Sequence, residues 1–174
     1  MFALGRCTHP VVLGGVVSLA EPPAKPWEAL LATMKASSVA YAKGANEIKK
    51  SAAFNDARTA DKKLFADVEN TLTDWPGTLS ELATTKGGKE LRLRVKIPAK
   101  KGGGFSISFA EGFGLMDDGI SSTSPVYAQA AEFSKGACVL FSGKVNPNED
   151  SNTEEGAMAA PEYKISFTAV KPCK

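Results

Sequence analysis

Between residues 27 and 72 the apolar positions of this chain recur every three or four residues, and from residue 78 onward every second residue. That change of period predicts a helical segment followed by strands. Trp27, Leu30, Leu31 and Met34 share one helical face, in a stretch rich in Ala, Lys, Glu and Leu and poor in Gly and Pro. Gly44-Ala45-Asn46 interrupts it. A second helix is predicted through Ile48 and Phe54 and a third through Leu64, Phe65, Val68 and Leu72, with Thr59 and Asp61 as candidate caps. Two or three short helices are expected. After Asp74-Trp75-Pro76-Gly77, Leu91, Leu93, Val95 and Ile97 alternate with Arg92, Arg94 and Lys96, the pattern of a strand with one buried and one wet face. Thr78 to Leu82 can pair with it as a hairpin across the turn-forming residues 84–89. Phe105, Ile107 and Phe109, alternating with Ser106 and Ser108, predict a third strand, and a short helix is expected around Val126 to Phe133. Cys138 to Val145 and Tyr163 to Val170 supply the last two alternating runs.

Five short strands with a helix between the third and fourth are the layout of an OB barrel, which closes its sheet and leaves few exposed edges. The predicted fold class is therefore α+β, mainly β: a five-stranded OB-type barrel preceded by a helical N-terminal segment. Three motifs support it: Trp75-Pro76-Gly77-Thr78-Leu79, Lys86-Gly87-Gly88-Lys89, and the run from Phe133-Ser134-Lys135-Gly136 through Phe141, Gly143 and Val145. Together they resemble bacterial OB-fold domains of the tRNA-anticodon-binding-like kind, over about residues 75–172. Two departures are Leu79 where Val is usual and the sixteen residues between Val145 and Glu162. The resemblance implies a shape, and a small exported protein, without implying RNA binding.

The length of 174 residues, with 43% hydrophobic and 23% charged side chains, suits one domain with a helical appendage. No apolar run reaches the roughly 20 residues a membrane-spanning helix needs. Residues 1–20 read as a signal peptide: Arg6 is the single formal charge, Val11 to Val17 form a short apolar stretch, and Ser18 and Ala20 suit a peptidase site before Glu21-Pro22-Pro23. An apolar N-terminal strand or tail is the alternative. The expected organisation is then a leader (1–20), a linker and helical segment (21–74), and the barrel (75–174), in a periplasmic or secreted protein. Removing the leader leaves 20 basic against 19 acidic side chains. A near-neutral chain has no global field to attract nucleic acid or anionic lipid, so such a role would need a local patch. The remaining cysteines, Cys138 and Cys173, begin the fourth strand and end the fifth. Those strands are antiparallel neighbours in an OB barrel, so a disulfide between them is sterically feasible, with two separate thiols as the alternative.

His9 is the sole histidine and lies in the expected leader, which removes histidine-based nucleophile activation and histidine zinc sites from the mature chain. Asp117-Asp118 and Glu154-Glu155 are sequence neighbours that would point apart on an extended chain, and read as solvated loop charges. A binding protein without catalysis, metal or cofactor is expected. The strongest charge feature is Lys86, Lys89, Arg92, Arg94, Lys96, Lys100 and Lys101, opposed by Glu90 alone. Alternation sets Arg92, Arg94 and Lys96 on one outward face, where OB domains commonly hold ligands. This is either a face for a protein or small anionic partner or a solvated strand surface whose charges resist aggregation. Single-stranded nucleic acid is the rival ligand. It is disfavoured because Phe105, Phe109, Phe141 and Phe167 share the parity of the core, and because Glu149, Asp150, Glu154 and Glu155 would repel phosphate. Asn148, Asp150, Asn152 and Glu154 loosely resemble a calcium loop but lack its glycine and terminal glutamate, so a polar loop is the expectation.

Overall fold

The structure, a computed structural model, describes residues 25–98, 104–113, 118–147 and 153–173. The chain begins with two helices, α1 (Pro26–Ala42) and α2 (Glu47–Asp67). Pro26 suits the first turn of α1, where its missing N–H would have no partner anyway. Leu30, Leu31 and Met34 form the buried face, as their spacing requires. Asn46 caps α2 by accepting from the Lys49 N–H at 3.0 Å. The expected break into a second and third helix does not occur. Residues 47–67 contain neither Gly nor Pro, so nothing interrupts the backbone ladder. Thr59, expected as a cap, instead donates its hydroxyl to the Asn55 carbonyl within the helix. Asp61 is buried mid-helix, its Oδ2 accepting from the Tyr163 hydroxyl at 3.1 Å. Glu69 and Asn70 take positive φ (54° and 56°) and turn the chain out of α2, with the Asn70 N–H bonded to the Phe65 carbonyl.

Strands then follow: β1 (Thr71–Thr85), β2 (Glu90–Pro98), β3 (Ser106–Glu111) and the two-residue β4 (Ile120–Ser121). Helix α3 (Pro125–Ala131), β5 (Cys138–Asn146), helix α4 (Glu154–Ala159) and β6 (Glu162–Pro172) complete the order. Leu72, read as the end of a helix, is a buried residue of β1, which starts at Thr71 rather than at Trp75. The β1–β2 hairpin pairs Thr78 with Lys96 and Leu82 with Leu93 around a bulge between Leu79 and Glu81. The sheet order β1-β5-β6-β3-β2 returns to β1, closing a five-stranded barrel, with β4 a short addition beside β2. All pairings are antiparallel except β3 with β6, which pair in parallel over Ser108–Ala110. This is the OB arrangement. It follows from the period-two runs, whose inward residues can all be buried only if the sheet closes on itself.

Aromatic rings fill the interior. Phe109 meets Trp75, Phe141 and Tyr163 at centroid distances of 5.8, 5.2 and 5.6 Å, and Phe141 meets Phe167 at 5.9 Å. The strands approach closely at Gly77 and Gly143, where an added Cβ would strike the Val95 side chain and stand 2.6 Å from the Ser166 carbonyl. The helical segment is part of the same core: Phe65 of α2 packs edge-on against Tyr163 of β6 at 4.9 Å. Short α4, in the stretch expected as a loop, is capped by Thr153 and buries Ala157 and Met158. Arg58 and Ser51 of α2 hold that connection through the Pro147 carbonyl and Glu154. No helix of the described residues is long and apolar enough to cross a membrane.

Candidate anion-binding face

β2 buries Leu91, Leu93, Val95 and Ile97 and turns Arg92, Arg94 and Lys96 outward, as alternation requires. The three cations have different surroundings. Arg92 and Lys96 are exposed and make no ion pair among the described residues. Arg94 is half-buried between two carboxylates: its Nη1 reaches Glu81, its cross-strand partner on β1, and its Nε lies 2.8 Å from Glu162 at the start of β6. Its guanidinium also lies over the Phe113 ring, 4.1 Å from the centroid. Phe113 reaches it because Gly112, at φ 83°, turns the chain where it passes Gly119 and Leu91. Opposite charges and an aromatic face surround Arg94, though its buried Nε makes no hydrogen bond among the described residues, so the uniform positive stripe expected along β2 is interrupted at its middle.

Lys86 lies in a 3₁₀ turn after β1 and binds Glu90 at 2.7 Å and Asp118 at 3.2 Å. The hydrogen bond to Glu90 is the main cause that raises its pKa, with Asp118 adding to it. Lys89 is exposed beside it, and Lys100 and Lys101 lie outside the described residues. The outward cations of the candidate set are thus Arg92, Lys96 and Lys89, with Arg94 and Lys86 fixed by acids.

The barrel aromatics face inward: Phe109 and Phe141 are fully buried, Phe167 is 7% exposed, and Phe105 is half-buried against the core. Among the described residues, large exposed apolar side chains are confined to Val39 and Ile48, both on the helices. The acidic pairs do not converge. Asp118 turns to Lys86 and Glu154 to Ser51, while Asp117, Asn148, Glu149, Asp150 and Asn152 lie outside the described residues, as do His9, Cys7 and the expected leader. Among the described residues, no three His, Cys, Asp or Glu side chains form a metal-binding group.

No family model, curated protein or solved structure matches the chain.

Two further features complete the surroundings. Cys138 and Cys173 are joined by a disulfide with Cα atoms 5.5 Å apart, tying the start of β5 to the residue after β6. Glu111, at the end of β3, accepts from the Phe167 N–H, and burial pushes its pKa above the usual carboxylate value. The clamp on Arg94 was not readable beforehand. Glu81 and Glu162 lie on different strands, and Phe113 follows Gly112, beyond the alternating positions of the third strand.

Proposed function

We propose that this chain is a non-catalytic OB-type binding module that docks an acidic protein segment or a small anion on the outer face of β2. The observation that carries the reading is the exposure of Arg92 and Lys96 on either side of an Arg94 that two carboxylates and the Phe113 ring hold in place. A fixed central group with two outward cations offers a preorganised surface at small entropic cost. Single-stranded nucleic acid is a poorer fit, because sequence-tolerant binding of bases needs exposed aromatic platforms and the strand rings are buried. The absence of catalysis is supported by the separate commitments of Asp118 to Lys86 and Glu154 to Ser51. Export to the periplasm or medium is supported by the Cys138–Cys173 bridge, since disulfides persist in oxidising compartments. Kinship with the tRNA-anticodon-binding-like OB domains rests on the strand motifs named above.

The test is fluorescence anisotropy with labelled hexaglutamate and a labelled single-stranded oligonucleotide, each at low and moderate salt. Salt-sensitive binding of hexaglutamate, lost in an Arg92→Glu/Lys96→Glu variant of unchanged melting temperature, is expected. Oligonucleotide binding without hexaglutamate binding would transfer the face to nucleic acid, and silence of both probes at low salt would remove it.

A further inference from the structure

Away from β2, a groove of about 530 Å³ runs between the start of α1 and the β1–β5 pair, lined by Lys25, Trp27, Val68, Thr73, Asp74 and Trp75 among others. Its apolar wall comes from Trp27, Val68, Pro76 and Leu140, and its polar groups are Thr71, Thr73, Asp74 and Lys25. Trp27 is half-buried and also borders a second groove, of about 360 Å³, so its indole forms a ridge between two depressions. Asp74 is placed with care. It sits where the β1–β5 register shifts between Leu72 and Trp75, at φ 51°, a left-handed conformation that Asp tolerates better than most residues. Its N–H donates to the Ser142 hydroxyl at 2.9 Å. Its Oδ1 accepts from Lys171 at 3.0 Å and from Ser142 at 3.3 Å. The Lys171 hydrogen bond is the largest of the causes that keep this carboxyl below its ordinary pKa. Oδ2 accepts no hydrogen bond among the described residues, and the side chain is 44% exposed.

We infer that this groove binds a neutral saccharide, with a sugar ring against Trp27 and its hydroxyls donating to Asp74. The groups present select among ligand classes. A proline-rich segment suits an aromatic groove but offers mainly carbonyl acceptors, which cannot donate to a carboxylate. Lys25, whose ammonium lies 5.9 Å from the Trp27 ring centroid, and Lys171, paired with Asp74, balance the carboxylate, so a charged ligand of either sign gains little here. A purely apolar ligand would strip water from Asp74 and the two threonines without replacing it. A sugar meets all three conditions: hydroxyl donors for Asp74, hydroxyls of either sense for Thr71 and Thr73, and an apolar C–H face for the indole. The inference is independent of the β2 face, since Arg92 and Lys96 lie outside this groove.

Both tryptophans of the chain, Trp27 and Trp75, line the groove, so their emission reports on it directly. The full chain is titrated with cellohexaose, maltohexaose and chitotetraose, each to millimolar concentration, and with decaproline for comparison, by fluorescence and calorimetry. A saturable change with at least one of the three sugars is expected. Asp74→Asn retains a residue that tolerates positive φ while removing the charged acceptor, and should weaken binding about tenfold or more. Trp27→Ala, checked for an intact fold by its melting curve and read by calorimetry, should do the same. Arg92→Glu should leave sugar binding unchanged. Silence with all three sugars, a response to decaproline alone, or sugar binding indifferent to Asp74→Asn and Trp27→Ala would each overturn the inference.

Discussion

The Oε2 of Glu111 accepts the backbone N–H of Phe167 at 2.7 Å, one residue past Ala110 and three past Lys164, which form the last parallel β3–β6 pair. A side chain here continues the strand pairing that the backbone abandons. Further along the same edge, the side-chain Oε1 of Gln129 takes the Val170 N–H at 2.9 Å, so the free side of β6 is closed by α3 as well as by β3.

This arrangement gives stability a definite pH dependence. Burial is the larger influence on Glu111 and raises its pKa, while the Phe167 N–H pulls the other way. The folded state therefore holds the proton more tightly than the unfolded chain. This contribution is fully present below the unfolded pKa and is lost as pH rises through the folded one. Glu111→Gln keeps an acceptor for Phe167 without the charge, and should be at least as stable as wild type near pH 7, with the difference shrinking toward about pH 4. Urea midpoints at several pH values measure it. A Gln variant clearly less stable at neutral pH would contradict the assignment, whereas Glu111→Ala should cost about 1–3 kcal/mol by orphaning the N–H.

Arg92 and Arg94 should separate binding from stability. Removing Arg94 strands Glu81 and Glu162 and uncovers Phe113, so Arg94→Ala should lower stability by about 1–2 kcal/mol. Arg92→Ala should change it by less than about 0.5 kcal/mol while weakening hexaglutamate binding. Equal effects of the two substitutions on the urea midpoint would show that the clamp on Arg94 carries no energy.

Gly143 faces β6 so closely that a Cβ would stand 2.7 Å from the Ile165 Cδ1 as well as against the Ser166 carbonyl. Gly143→Ala should destabilise the barrel by about 1–3 kcal/mol. No described residue stands within 4 Å of a Cβ added at Gly104, and Gly104→Ala should be close to neutral. Thermal melts of the two variants side by side decide the matter.

The Cys138–Cys173 bridge spans 35 residues of sequence, and in the chain-entropy account a loop of that size restricts the unfolded state by about 3–4 kcal/mol. Cys173→Ser, or reduction of the wild type, should lower the urea midpoint accordingly. Superimposable curves with and without reductant would show that the bridge contributes nothing.

The barrel was legible because each strand carries its own instruction: the alternation around Arg92, Arg94 and Lys96 depends on neighbours two residues away. What was misread depended on distant partners. Asp61 looks like a helix cap until Tyr163, 102 residues later, supplies its hydrogen bond. Leu72 continues a helical spacing in sequence, yet the positive φ of Glu69 and Asn70 hands it to β1. Glu154-Glu155-Gly156 has the composition of a loop, and becomes a turn of helix because Ala157 and Met158 find a buried place. At the candidate face the cations were visible and their counter-charges were not, since Glu162 pairs with Arg94 only after the ring closes. The groove lined by Trp27 and Asp74 is likewise a product of folding, since the sequence places both in the segment 21–74 and only the fold gives Trp27 to α1 and Asp74 to β1.

β6 lies between β5 and β3, so every earlier strand can be in place while two edges of the sheet still face each other unpaired. Until that segment leaves the ribosome, Phe109 and Phe141 lack the closed interior that β6 and its Tyr163 complete. The edges of β5 and β3 stay open until then, and the last strand to be made is the one that closes the ring.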